Sequence, residues 1–74
     1  MVMDCAMHDV FEAAATLRRV CRVCWRKAGQ RREMRATPLD WSVRDGEEWG
    51  VWRAEGGEIV ELRLADVTKL EMAD

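Results

Sequence analysis

Between Arg19 and Arg26 the chain alternates, with Arg19, Cys21, Val23 and Trp25 on one side of an extended backbone and Val20, Arg22, Cys24 and Arg26 on the other. That period predicts a strand over about residues 19–26. Ala28-Gly29-Gln30 reads as a turn, and residues 31–37 as a second strand with Met34 and Ala36 inward. Pro38 has no N–H to give a ladder, so it ends that strand or marks a bulge or an edge. Asp45-Gly46 is a turn signal between Trp41-Ser42-Val43 and Trp49-Gly50-Val51-Trp52, which places a strand over about 48–53. Gly56-Gly57 closes a further hairpin into a strand over 58–64, where Val60, Leu62 and Leu64 alternate with Ile59, Glu61 and Arg63. A last short strand is expected over 68–72.

One helix precedes these strands. Asp9 and Glu12 stand at capping-box spacing before an alanine-rich run, which predicts a helix over about 9–17. Val10, Ala14 and Leu17 form its apolar stripe, with Phe11 beside it. So short a helix is marginal alone and must pack on the sheet. The expected fold is therefore mainly β with one short N-terminal helix: a small Sm-like or SH3-like barrel of about five strands, forming a single domain over residues 1–74. Val23, Met34, Val60, Leu62 and Leu64 are its expected core, under the helix stripe.

Composition narrows the class. Seventy-four residues with 49% apolar content suit one small domain and not a disordered tail. No apolar run approaches the ~18 residues that a membrane span needs. The start, MVMDCAMHD, carries acids and no basic region of the signal-peptide kind. Three cysteines give no disulfide framework, and reduced thiols in the cytoplasm fit best.

The net charge of −2 conceals a segregation. Residues 1–15 hold Asp4, Asp9 and Glu12 and no base; residues 16–37 hold eight bases against Glu33; residues 38–74 hold ten acids against four bases. A basic run of this kind suits nucleic acid. The simpler reading pairs the basic strand sideways with acidic strands of the same sheet, and no direct contact with nucleic acid is expected.

Cys5, His8, Cys21 and Cys24 have the order of a zinc site, C-x2-H followed by C-x2-C. Strand geometry argues against it. Cys21 and Cys24 are three positions apart, so on a strand they point to opposite faces, whereas a tetrahedral zinc needs ligands that converge. Cys21 is expected as a small core residue and Cys24 as a partly exposed thiol; no metal and no cofactor is expected. Cys5 and His8 lie close together near the helix start, where the helix dipole favours a thiolate. No third group orients them, and nothing resembles an oxyanion hole or phosphate loop. The chain reads as a non-enzyme.

Two stretches carry a family likeness. At the front, Cys5, Asp9, Glu12 and Ala14 match the spacing of a cysteine, helix aspartate, glutamate and alanine; later come Glu48-Trp49, then Glu61-Leu62-Arg63-Leu64 followed by Thr68. With the alternating Cys21, Val23 and Trp25, these make the chain resemble the Rof-type inhibitors of transcription termination factor Rho, over roughly residues 3–72. The departures are His8 where the family has a tyrosine, Ala6 and Met7 where it has acids, Asp66 arriving one residue late, and a longer stretch from Pro38 to Trp41.

The resemblance implies an Sm-like barrel with an N-terminal helix and an activity of pure obstruction. Such a protein sits on the N-terminal RNA-binding domain of Rho and keeps RNA from its primary site, so acting as an antiterminator. Cys5, His8, Asp9 and Glu12 are then the expected partner-binding residues at the helix. Because scaffold positions are committed to packing, the loop over residues 42–47, with Arg44, Asp45 and Glu47, is expected near the same surface. A monomer is expected.

Two other readings compete. A small RNA-binding barrel would use the arginines of residues 18–35 with Trp25, Trp41, Trp49 and Trp52 as stacking surfaces. A ligand-sensing barrel of the WYL type would share the order of basic strand, Pro38-Leu39, aromatic strand and Arg63.

Overall fold

A computed structural model describes residues 5–73, with side chains from Met7 onward. The chain runs helix α1 (Cys5–Leu17), strands β1 (Cys21–Lys27), β2 (Gln30–Arg44), β3 (Glu47–Ala54) and β4 (Ile59–Arg63), a 3-10 turn (Leu64–Asp66), and β5 (Val67–Met72). All five strands belong to one antiparallel sheet in the order β4-β3-β2-β1-β5. The mainly β fold with one leading helix is as expected. It is barrel-like but open, since the edge strands β4 and β5 are not paired with each other.

Strand β2 is the frame. Its first half, Gln30–Ala36, pairs with β1, and its second half, from Ala36 to Arg44, pairs with β3. A strand over 31–37 was expected, with Pro38 ending it or at a bulge or edge; the bulge is what occurs, and β2 runs unbroken through Pro38. The reason is a bulge between Pro38 and Asp40, which takes up Leu39 and leaves the missing proline donor at an irregular point of the ladder. Both flanking turns have left-handed backbone at two residues, Ala28 (φ 52°) with Gly29 (φ 78°) and Asp45 (φ 52°) with Gly46 (φ 78°). That is the two-residue geometry whose twist matches paired strands. Hence the expected loop over 42–47 shrinks to two residues, and Arg44 and Glu47 belong to strands.

The core gathers Phe11 and Ala14 from the helix with Cys21, Val23, Ala36, Trp52, Leu62, Leu64, Val67 and Leu70 from the sheet and its 3-10 turn. Val23, Leu62 and Leu64 are buried as expected, while Met34, Val60 and Val10 are only partly buried at its margin. Trp52 is its largest fully buried side chain. The indole lies over Gly50, where an added Cβ would come within 2.9 Å of Trp52 Nε1 and 3.0 Å of Leu64 Cδ2. No side chain fits between them.

Three expectations need correction. The helix begins by Cys5, not at residue 9, so Asp9 lies in its second turn and is no cap. Ala6 and Met7 are good helix formers, and Met7 packs against the core on the same ridge as Phe11 and Ala14. That ridge also explains Leu17, which is 61% exposed rather than buried. At 100° per residue it lies about 120° round from Phe11, in line with Val10 at the core margin, and it is the last residue of α1. The helix then stops at Arg18, in left-handed conformation (φ 56°), with the Arg19 N–H donating to the Ala14 carbonyl at 2.9 Å.

The third correction is Cys24, which is 1% exposed instead of partly exposed. It stands apart from the core cluster, on the opposite face from Cys21 and Val23. Glu33 and Lys69 flank it across the ladder, and its thiol donates to Glu33 Oε2 at 3.4 Å. Thr68, the extra residue where the β1–β5 register shifts, donates its hydroxyl to the Cys24 carbonyl at 3.3 Å. No group of three or more potential metal ligands occurs among the described residues. No helix among them is long and apolar enough to cross a membrane.

Candidate partner-binding site

A groove of about 340 Å³ runs between one flank of α1 and the bulged part of β2. His8, Glu12 and Thr16 line it from the helix, and Leu39, Asp40 and Trp41 from the strand. The bulge builds the strand wall. By shifting the register at Leu39 it leaves that residue 40% exposed, and the Asp40 carboxylate accepts the Trp41 backbone N–H at 2.8 Å. Phe11 makes the floor, meeting Trp41 and Trp52 edge-on with both ring centroids 5.0 Å away.

His8 closes one end of the groove. Its ring is tilted against Trp41 with centroids 4.2 Å apart, and its Nε2 lies 3.7 Å from Glu48 Oε2. That distance is too long for a hydrogen bond, and the buried Nε2 makes none. Glu48 faces the helix because it shares a strand face with Gly50 and Trp52.

Charge gives the groove its character. The carboxylates of Asp9, Glu12 and Asp40 form no ion pair among the described residues, and all three are exposed. Five acids of the sheet and its turns do. Glu71 pairs with Arg22 and Lys69, Glu55 with Arg35, Glu61 with Arg44, and both Glu47 and Asp66 with Arg63. An aromatic floor between unmatched carboxylates suits a cationic side chain, which gains from ring face and carboxylate together.

The sequence-derived candidates divide accordingly. His8, Asp9 and Glu12 come together on or beside the groove, and Cys5 begins the same helix, its side chain outside the described part. Arg44 and Glu47 do not join them. They occupy the outer face of the β2–β3–β4 sheet, where Arg44 lies over the Trp49 ring at 4.6 Å and Arg63 over it at 5.8 Å. Arg44 also reaches Glu61 at 3.2 Å, and Glu47 reaches Arg63 at 3.3 Å. Asp45 sits at the turn between the two faces. Sequence reasoning passed over Asp40, Trp41 and Glu48 as site residues. The proline two and three positions before Asp40 and Trp41 was the available signal, since a bulge re-aims the side chains beside it.

The tryptophans do not form a stacking platform. Trp52 is wholly buried, Trp41 lies under the helix, Trp49 is covered by two arginines, and Trp25 packs against the core. No family model, no curated protein and no solved structure matches this chain.

Proposed function

We propose that this protein is a non-enzymatic inhibitor of transcription termination factor Rho, of the Rof type, working as an antiterminator in the cytoplasm. The residues that resemble the Rof-type family supply the identity of the partner. The observation that carries the mechanism is the groove beside α1, where the exposed Glu12 and Asp40 carboxylates flank an aromatic floor without an ion pair among the described residues. An RNA-binding surface is rich in Arg and Lys, because those groups neutralise phosphates. A protein that offers Glu12 and Asp40 around Trp41, with Asp9 on the adjoining outer flank of α1, competes for the same cations. Obstruction needs no bond chemistry, only a rigid acidic surface on the RNA-binding domain of Rho.

The test is binding to purified Rho by the double variant Asp9→Asn, Glu12→Gln. Both positions are exposed on a helix that does not use them as caps, so the unfolding free energy should stay within about 0.5 kcal/mol of the parent's. Rho binding should fall, and Asp9→Lys should lower it further. Affinity should weaken as salt rises past about 0.15 M, where the screening length is near 8 Å. RNA should compete with the parent for Rho, and excess parent should suppress Rho-dependent termination in a purified transcription system. Unchanged Rho binding by the double variant would reject the acidic-groove mechanism.

A further inference from the structure

The six bases of β1 and β2 from Arg22 to Arg35 separate into two groups once the strands are in place. Arg22 and Arg35 face each other across the β1–β2 ladder, an unfavourable like-charge pairing. Each is relieved from the side, Arg22 by Glu71 of β5 at 3.5 Å and Arg35 by Glu55 after β3 at 3.2 Å. Further along, Arg26 faces Arg31 on one face of the hairpin, and alternation puts Lys27 and Arg32 on its other face. These four bases have no ion pair among the described residues.

Topology explains why nothing relieves them. β5 pairs with β1 only as far as Trp25, and β3 pairs with β2 only from Ala36 onward. From Arg26 through Arg31 the hairpin is a bare two-stranded ribbon. Its tip is about 20 Å from the Cys21 end of β1, at ~3.3 Å per residue. Every residue from Arg26 to Glu33 is exposed.

We propose that this ribbon is a contact for the phosphate backbone of single-stranded RNA, separate from the acidic groove and independent of base identity. Two unmatched cations on each face of a thin, solvated ribbon give it a positive field on both sides, and that suits a polyanion. The choice of RNA over an acidic protein segment follows from what the tip lacks. Protein interfaces gain most of their energy from buried apolar and aromatic anchors. Residues 26–33 offer none, only Ala28, Gly29 and Gln30 between bases and then Glu33. Backbone phosphates need no such anchor, because counterion release supplies the driving force. The expectation of no nucleic-acid contact therefore changes at this one place, by charge and not by tryptophan stacking. The inference does not depend on Rho.

The test uses the whole protein and a fluorescent 20-nucleotide oligouridylate, read by anisotropy without Rho. If four phosphates are neutralised, affinity should fall roughly 20-fold between 50 and 150 mM salt, from a single-strand slope near −0.7 per contact. The double variant Arg26→Gln, Arg31→Gln should bind more weakly at 50 mM salt and lose only about fivefold over the same range. Its melting temperature should hold or rise, since a like-charge pair is removed, so weaker binding cannot be blamed on unfolding. No binding by the parent at 50 mM salt would overturn the proposal. So would equal binding by parent and double variant, or binding of a polyglutamate peptide in place of the RNA.

Discussion

The hairpins β1–β2 and β2–β3 are built alike and end differently. Both close on two left-handed residues with nearly identical φ, and both carry arginines on the outer face. In β2–β3, Arg44 is matched by Glu61 and by the Trp49 ring, because β4 lies alongside and supplies the acid. In β1–β2, the arginines near the tip extend past both neighbouring strands and remain unmatched. The difference teaches that turn chemistry decides that a hairpin forms, while the strands beside it decide whether its charges are spent within the fold or left for a partner.

The largest effect that would break the comparison is on the inner face. Trp52→Ala should cost about 3–5 kcal/mol by leaving a cavity under Gly50, Phe11 and Leu64. That is a large part of the ~5–15 kcal/mol that holds a typical domain together. Arg26→Ala at the ribbon should leave thermal unfolding, followed by circular dichroism, almost unmoved. Equal losses would show that the ribbon is packed and not bare.

Next come the turns. An added Cβ meets nothing within 4 Å at Gly29 or Gly46, so Gly29→Ala and Gly46→Ala should each cost about 1–2 kcal/mol, purely from the left-handed backbone. The two costs should agree, as measured by urea unfolding. A clear gap between them would mean that tertiary contacts, and not local geometry, hold one of these turns.

The smallest effect has the sharpest sign. Arg31→Glu turns a like-charge pair with Arg26 into an opposite one and should stabilise by about 0.2–1 kcal/mol. The same change at Arg44 removes its pair with Glu61 and its stack on Trp49, and should destabilise by about 0.5–1 kcal/mol. Urea midpoints moving in the same direction for both variants would erase the distinction between the hairpins.

Much of the candidate site was legible as residues but not as a place. The acids Asp9 and Glu12 stood out because no base lies within the first fifteen positions. Their association with Asp40 and Trp41 was hidden, since it arises where a helix flank meets a bulge some 25 to 30 residues further along. Arg44 and Glu47 looked like loop charges beside the helix, but alternation along β2 and β3 turns them to the other face of the sheet. Glu48, one residue on, is the acid that meets His8.

By itself the sequence determined the features whose physics is local. Period-two alternation and the pairs Ala28-Gly29 and Asp45-Gly46 specify strands and turns, because side-chain direction and left-handed φ are properties of a few neighbouring residues. Only the tertiary structure decided the rest. Whether β2 stops at Pro38 depends on a partner strand that tolerates a bulge. Whether Leu17 or Met7 joins the core depends on the angle at which α1 meets the sheet, and whether Cys24 is covered depends on Glu33 and Lys69 lying across two ladders. The sorting of bases into matched and unmatched depends on where β3 and β5 end. Burial and Coulomb attraction act between groups brought together in space, and sequence distance does not record that proximity.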